Sequence, residues 1–145
     1  MLDIGIYPAF LAYMCLGKPE RAQSIIQRSE SGVDRMVSAQ LSYPDGRQAQ
    51  LHASFAGHSP TEAYLAFDKG YLRLARRWHM PTELYISRNG EQEQAFPLQW
   101  RGNGYNYEID ECFRCLSHGL KESPRWGWKD SEELMSIIEL ILSGK

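Results

Sequence analysis

The stretch Val37-Ser38-Ala39-Gln40-Leu41-Ser42-Tyr43 alternates apolar and polar side chains at every position. Strict alternation is typical of a β-strand that buries one face and exposes the other. The turn sequence Pro44-Asp45-Gly46 follows, and a second alternating stretch covers residues 48–55. Because this connection is too short for a parallel crossover, the two strands are predicted to form an antiparallel hairpin.

Further strand signals lie on both sides of this hairpin. The pattern predicts additional strands at 21–30, 62–67, 71–75, 82–87 and 91–98. The last two flank Asn89-Gly90, which is typical of a two-residue hairpin turn. All these connections are short, so we expect six or seven strands in one largely antiparallel sheet.

Helical periodicity appears before and after the strands. One helix is predicted over residues 3–16, a second from Tyr105 to Gly119, and a third behind the capping pair Asp130 and Glu133. This order predicts a single α+β domain over residues 1–145, with three helices on one face of an open-faced sheet. The other face would then carry polar, charge-poor side chains, namely Ser38, Gln40, Gln48, Gln50, His52 and Ser54.

Composition and charge exclude several classes of function. The net charge of −2 gives no electrostatic basis for binding nucleic acid or anionic membranes. No apolar run approaches the roughly 20 residues of a membrane helix, and the sequence shows no signal peptide. Three cysteines favour a reducing, cytoplasmic compartment. Cys112-x-x-Cys115 has no second ligand pair, so no metal site is predicted.

A carboxylate and a phenol stand four residues apart near the start of the chain, at Asp3 and Tyr7. In a helix, positions i and i+4 share one face, so the two groups could act together on a proton. The alternative is structural, with Asp3 capping a helix and Tyr7 packing beside it. Spacing alone leaves both interpretations open.

Three motifs carry a resemblance to a known family. They are Asp3-Ile4-Gly5-Ile6-Tyr7-Pro8, residues 102–108 (Gly-Asn-Gly-Tyr-Asn-Tyr-Glu), and residues 119–124 (Gly-Leu-Lys-Glu-Ser-Pro) with Asp130-Ser131 after them. They resemble the C-terminal domain of the glucose–fructose oxidoreductase/inositol dehydrogenase/MocA (Gfo/Idh/MocA) family. Tyr at position 7 is similar to the dimeric dihydrodiol dehydrogenase and glucose–fructose oxidoreductase branches, and the chain as a whole looks closest to the former.

The resemblance implies a fold like the C-terminal domain of dihydrodipicolinate reductase and a role in an NAD- or NADP-dependent oxidoreductase. Substrates of that family are sugars, polyols and dihydrodiols, oxidised at a CH–OH group. By resemblance, Tyr7 would exchange the hydroxyl proton and contact the nicotinamide, while Asp3 would orient the substrate or tune Tyr7. The family's open sheet face implies a homodimer.

The sequence departs from the family in what it lacks. It contains no Gly-x-Gly-x-x-Gly after a strand and no Glu-Lys-Pro motif. We therefore expect the NAD(P)-binding Rossmann domain to be absent from this chain, and the chain alone to be inactive and to bind no cofactor. The alternative hypothesis is a free-standing, non-catalytic binding or dimerisation module.

Four further side chains are candidates for binding a small-molecule substrate. Trp78, His79, Tyr105 and Tyr107 lie at predicted strand ends or at a helix entry, where ligand sites gather. The alternative for each is ordinary packing. The substrate itself, the choice of NAD or NADP, and the direction of reaction are not determined by these residues.

Overall fold

The computed structural model describes residues 1–80 and 83–144. They form two compact units, the first comprising Met1–His58 with the segment from Pro124 onward, the second comprising Ser59–Ser123. In chain order the elements are α1 (Ile6–Leu16), β1 (Arg21–Arg28), β2 (Asp34–Ser42), β3 (Gln48–Ser54), β4 (Ala63–Phe67), β5 (Gly70–Leu74), β6 (Glu83–Arg88), β7 (Gln94–Pro97), α2 (Tyr105–Ser117) and α3 (Trp128–Ser143).

The predicted hairpin is the centre of the first unit. β2 pairs antiparallel with β3, with Leu41 opposite Ala49 and Val37 opposite Ala53. β1 pairs antiparallel with the other edge of β2, which gives the order β1-β2-β3. The α+β class and the antiparallel pairing predicted from the sequence are confirmed.

The core of the first unit lies between this sheet and two helices. Alternate strand residues turn inward and pack against α1 and α3. Leu41 and Ile141 are fully buried, and Ile137 and Ile138 are each 1% exposed. Small side chains such as Ala22 and Ala9, also fully buried, allow the helices to approach the sheet closely.

The prediction of one continuous sheet is wrong. The seven strands of the described residues form a three-stranded sheet, β1–β3, and a four-stranded sheet, β4–β7. The segment between β3 and β4 does not continue either ladder. Pro60 has no N–H to donate, and Thr61 has a φ of 54°, outside the extended region.

The three helices divide between the two units. Helices α1 and α3 pack on the β1–β3 sheet, whereas α2 belongs to the second unit. The ends of the helices shift as well: α1 begins at Ile6 rather than residue 3, and α3 begins at Trp128, two residues before the predicted cap. Asp130 still caps α3, because its Oδ2 accepts the Gly127 N–H at 2.8 Å.

The outer face of the β1–β3 sheet matches the prediction. Ser38 is opposite His52, and Gln40 is opposite Gln50, so these side chains share the face that α1 and α3 leave uncovered. Ser38 Oγ and His52 Nδ1 are 2.9 Å apart and hydrogen-bonded. Ile25 of β1 lies on the same face and is 76% exposed. We call this surface the outer sheet face.

In the second unit the strands follow the order β4-β5-β6-β7, all antiparallel. Asn89-Gly90 forms a turn, with Gly90 at a φ of 81°. The connection is longer than the predicted two residues, because β6 ends at Arg88 and β7 begins at Gln94. The predicted start of β6 at Thr82 lies outside the described residues.

Candidate functional site

The motif Asp3 to Tyr7 forms a turn that leads into α1. Asp3 is exposed and lies before the first residue of the helix, so the i, i+4 argument from a regular helix does not apply to it. Tyr7 is the second residue of α1 and is 48% exposed. Pro8 falls in the first turn, where its missing N–H breaks no helical hydrogen bond. The helix start therefore presents the Tyr7 phenol at the surface.

Gly5, between the two candidate residues, is buried against Met1. A Cβ at this position would lie 2.5 Å from Met1 Sδ and 3.0 Å from the Met1 carbonyl oxygen. The Met1 thioether can move aside, but the carbonyl oxygen is closer than a Cβ atom usually tolerates, so glycine suits the close packing of this turn. This contact holds the turn that carries Asp3 against the first unit.

A small cavity of about 10 Å³ lies beside this turn, lined in part by Gly5, Pro8 and Leu51. It has room for no more than one water molecule. The cavity is therefore too small for a ligand larger than water.

The structure brings the candidate residues Trp78 and His79 together in the second unit. Their rings are 5.9 Å apart and nearly perpendicular. The Trp78 N–H donates to the Thr61 carbonyl at 3.1 Å, and the Arg77 N–H donates to Thr61 Oγ1 at 3.1 Å. Arg77 also has a positive φ of 58°. These bonds fix a strained loop whose Trp78 is half-buried and whose His79 is exposed.

The candidates Tyr105 and Tyr107 begin α2 in the second unit. Tyr107 already has a local structural role, because its hydroxyl accepts the Arg101 N–H at 2.8 Å and its ring meets Trp100 edge-on at 6.0 Å. Tyr105 is 66% exposed. Gly104, with a φ of 97°, permits the sharp entry into the helix. These candidates and Trp78 lie in one unit, whereas Asp3 and Tyr7 lie in the other.

A further tyrosine site was missed by the sequence reasoning. The Tyr13 hydroxyl lies 2.9 Å from Asp130 Oδ1 and 2.7 Å from Glu133 Oε2, which joins α1 to α3. Trp126 packs edge-on against the Tyr13 ring at 5.6 Å. The signal in the sequence was the pair Asp130 and Glu133, which was assigned to helix capping alone. Tyr13 and Asp130 are 117 residues apart along the chain, so the local pattern gave no sign of their contact.

The electrostatics of this cluster exclude Tyr13 as a base. The hydrogen bond to Glu133, burial, and the hydrogen bond to Asp130 all raise the pKa of Tyr13 well above its usual value. The backbone Gly127 N–H and the Tyr13 hydroxyl lower the pKa of Asp130. Tyr13 therefore stays neutral and acts as a structural link.

Replacing Tyr13 by Phe is expected to lower the free energy of unfolding by about 1–3 kcal/mol, because the part-buried pair Asp130 and Glu133 loses the one proton that the hydroxyl donates between them. The folded-state pKa of Tyr13 is raised, so its contribution is present below pH 10 and is lost as the pH rises further. As the pH rises above 10, the free energy of unfolding should therefore fall less in the variant than in the wild type. Urea unfolding at several pH values measures both effects.

The matched control is Tyr64→Phe. The Tyr64 hydroxyl donates to Glu62 at 2.9 Å at an exposed site, so its removal should change stability much less than Tyr13→Phe does. Equal effects at the two tyrosines would contradict the structural role of Tyr13.

A second cluster that the sequence did not reveal lies on the β4–β7 sheet. The Arg73 guanidinium stacks on the Tyr85 ring at 3.9 Å and pairs with Glu93 through two hydrogen bonds of 2.5 and 3.0 Å. Arg73, with help from the Tyr71 hydroxyl, lowers the pKa of Glu93. The charge of Arg73 is therefore neutralised within the sheet.

The described part of the chain holds neither a metal-binding cluster nor a membrane-spanning helix. Across residues 1–80 and 83–144, no cluster of His, Cys, Asp and Glu side chains could hold a metal ion. Among the same residues no helix has both the length and the apolar content to cross a membrane.

The structure is an α+β domain that presents an exposed tyrosine at the start of α1. A family model described as the GFO/IDH/MocA C-terminal domain matches residues 1–73, half of the chain. The chain therefore belongs to the GFO/IDH/MocA family and corresponds to its C-terminal domain.

Relatives of known activity agree with this assignment. The mouse (Mus musculus) trans-1,2-dihydrobenzene-1,2-diol dehydrogenase is 36% identical over 96% of this chain, and the human (Homo sapiens) enzyme of that name is 34% identical over 97%. The match covers 44% of each of these proteins. The chain thus spans less than half the length of these relatives.

Solved structures share the fold. A 3-ketoreductase from Actinomadura kijaniata in complex with NADP superposes with a TM-score of 0.84 and 23% identity, over 99% of this chain and 46% of that one. An aldose–aldose oxidoreductase from Caulobacter crescentus, in complex with glycerol, superposes with a TM-score of 0.82 and 19% identity, over 98% and 44%.

Proposed function

We propose that this chain is the substrate-binding and dimerisation domain of an NAD(P)-dependent oxidoreductase that acts on a CH–OH group of a sugar, polyol or dihydrodiol. The observation that carries the proposal is Tyr7, presented half-exposed in the first turn of α1 by the motif that begins at Asp3. The names of the matched dehydrogenases and reductases support the substrate class.

The proposed reaction divides its chemistry between two parts of the enzyme. A nicotinamide bound by the nucleotide-binding half would supply the hydride acceptor at its C4. Tyr7 as phenolate would take the proton of the substrate hydroxyl, so that the carbon loses hydride, the oxygen loses a proton, and a carbonyl forms. Asp3 would orient the substrate hydroxyls through hydrogen bonds.

Tyr7 needs a positive charge nearby to act as a base near neutral pH, because an ordinary phenol has a pKa of about 10. The lysine of the Glu-Lys-Pro motif, which the resemblance implies, would supply that charge from outside this chain. This division explains why the domain alone is expected to be inactive.

The chain alone is expected to bind neither NADH nor NADPH appreciably, because the nucleotide would be held by a glycine-rich turn at a helix N-terminus that this sequence lacks. Titration followed by cofactor fluorescence and calorimetry measures this directly. Saturable binding of either cofactor at micromolar concentrations would contradict the expectation.

The outer sheet face is proposed as the homodimer interface. It is polar but carries little charge, and its edge strand β1 adds the exposed Ile25, a composition that suits an interface. Two pairs on this face are already hydrogen-bonded, Gln40 to Gln48 at 3.0 Å and Ser38 to His52 at 2.9 Å, and these bonds can persist in a buried interface.

Gln50→Lys is expected to weaken the dimer, because facing sheets related by a two-fold axis would place the two new charges in one interface. Val33→Lys adds the same charge at an exposed residue in the turn between β1 and β2 and should leave the dimer intact. Light scattering across a dilution series measures the mass. A monomeric wild type, or equal behaviour of both variants, would contradict the interface.

A further inference from the structure

We propose that the exposed apolar face of α2 is the surface on which the NAD(P)-binding half of the enzyme packs. The proposal rests on the proposed function, since it takes its partner from there. It assigns a role to a helix that does not contribute to the core of the first unit.

The surface is a continuous row of large apolar side chains along the helix. We define the α2 stripe as Tyr105, Ile109, Phe113 and Leu116, which are 66%, 54%, 69% and 73% exposed. Their spacing of four, four and three residues places them on one helical face. An amphipathic helix normally buries such a face, so the α2 stripe is an unoccupied contact surface.

The opposite side of α2 already forms hydrogen bonds within the second unit. Glu111 accepts two hydrogen bonds from Arg114, at 2.6 and 2.8 Å, and one from Ser123 Oγ at 2.5 Å. The buried Cys115 lies beside this network, with its Sγ 3.7 Å from Glu111 Oε1. These bonds fix the rotation of the helix and therefore keep the α2 stripe directed outward.

The second unit also lacks a core of its own. Cys115 is the one buried apolar residue among its described residues, 59–80 and 83–123. Large apolar side chains of its strands remain exposed as well, including Phe67 at 61% and Phe96 at 42%. Soluble proteins rarely leave contiguous apolar surface of this kind uncovered. The unit therefore has the composition of a part that is completed by a partner.

The occupant follows from the lengths of the relatives. The matched part of the mouse and human dehydrogenases is 44% of their length, and the family model describes it as the C-terminal domain. More than half of each relative thus lies outside the matched domain. Permanent contacts are more apolar than transient ones, and the α2 stripe is much more apolar than the polar outer sheet face. A permanent partner within the enzyme fits it better than a second copy.

The thiol of Cys112 can report whether the α2 stripe is covered. It is exposed, and it lies three residues after Ile109 and four before Leu116, so it shares the face of the α2 stripe. The test compares the rate of thiol alkylation at Cys112 in residues 1–145 alone and in a fusion behind the nucleotide-binding half of the mouse relative. A cysteine introduced by Val33→Cys, in an exposed turn, is the control in both proteins.

Docking is expected to slow alkylation of Cys112 by about tenfold or more, as for a group that reacts only after local opening, while the control cysteine keeps its rate. Phe113→Gln and Leu116→Gln should restore the fast rate without changing the circular dichroism of the chain. Adding the nucleotide-binding half as a separate protein should give the same protection of Cys112. This second experiment tests the proposal even if the fusion protein folds poorly.

Two results would overturn the proposal. One is equal alkylation of Cys112 with and without the nucleotide-binding half, once NADPH binding shows that this half is folded. The other is protection in the chain alone that grows with its concentration, which would assign the α2 stripe to a second copy. Protection without turnover would leave the docking intact and would instead contradict the proposed function.

Discussion

Turnover is expected to fall by about 10²–10⁴ when Tyr7 is replaced by Phe in an enzyme that joins this chain to a nucleotide-binding half. The factor is the usual contribution of one positioned acid or base. Phe keeps the ring and removes only the hydroxyl, and the side chain is 48% exposed, so the fold should survive. Steady-state rates with dihydrodiol, polyol and sugar substrates measure the change.

Two comparisons separate catalysis from structure in this experiment. The affinity for NADPH should remain near the wild-type value, because Tyr7 would hold no part of the pyrophosphate. Tyr64→Phe removes a phenol from an exposed site in the second unit and should leave turnover unchanged. Near-normal turnover of the Tyr7 variant on its best substrate would contradict the catalytic assignment and would indicate that Tyr7 has only a packing role.

Asp3 is expected to act with Tyr7 as one unit. Asp3→Asn removes the charge at an exposed position in the turn before α1, so it should slow turnover without loss of stability. If the two residues cooperate, the combined loss in the double variant should be smaller than the product of the single losses. Full multiplicativity would indicate that Asp3 acts on the substrate independently of Tyr7.

The largest loss of stability is expected from Leu41→Ala. Leu41 is fully buried on the central strand β2, in the core formed with α1 and α3. Truncation removes apolar contacts and leaves a cavity, which typically costs about 2–5 kcal/mol. Urea unfolding followed by tryptophan fluorescence measures the change, with Trp126 packed against the core as a reporter.

Ile25→Ala is the matched control for this prediction. Ile25 lies on the neighbouring strand β1 but points to the outer sheet face and is 76% exposed. At concentrations low enough to keep the chain monomeric, its truncation should change stability by less than about 0.5 kcal/mol. A loss at Ile25 equal to that at Leu41 would contradict the assignment of the buried face.

The sequence by itself determined which residues face inward and outward along the first sheet. The alternation from Val37 to Tyr43 and from residue 48 to 55 predicted the β2–β3 hairpin, and the register places the predicted polar residues on one face. This succeeds because side chains alternate between faces in any strand, so the pattern is local. The motif from Asp3 to Tyr7 was equally visible in the sequence.

Only the tertiary structure decided how the strands divide into two sheets. The prediction of one sheet rested on short connections, which favour pairing between neighbours but do not require it. Thr61, which follows Pro60 and has a positive φ, lies in the segment between β3 and β4 that extends neither sheet. The link from Tyr13 to Asp130 and Glu133 was invisible for the same reason, since it joins residues far apart in the chain.

The two amphipathic helices α2 and α3 show most clearly what cannot be predicted from the sequence. Both have apolar residues at helical spacing, yet Ile137 and Ile141 of α3 are at most 1% exposed, whereas Phe113 and Leu116 of α2 are 69% and 73% exposed. Periodicity tells which side of a helix is apolar, because it depends on neighbours in the sequence. Burial depends on whether another surface is there to cover that side, and for α3 the inner face of the β1–β3 sheet provides it.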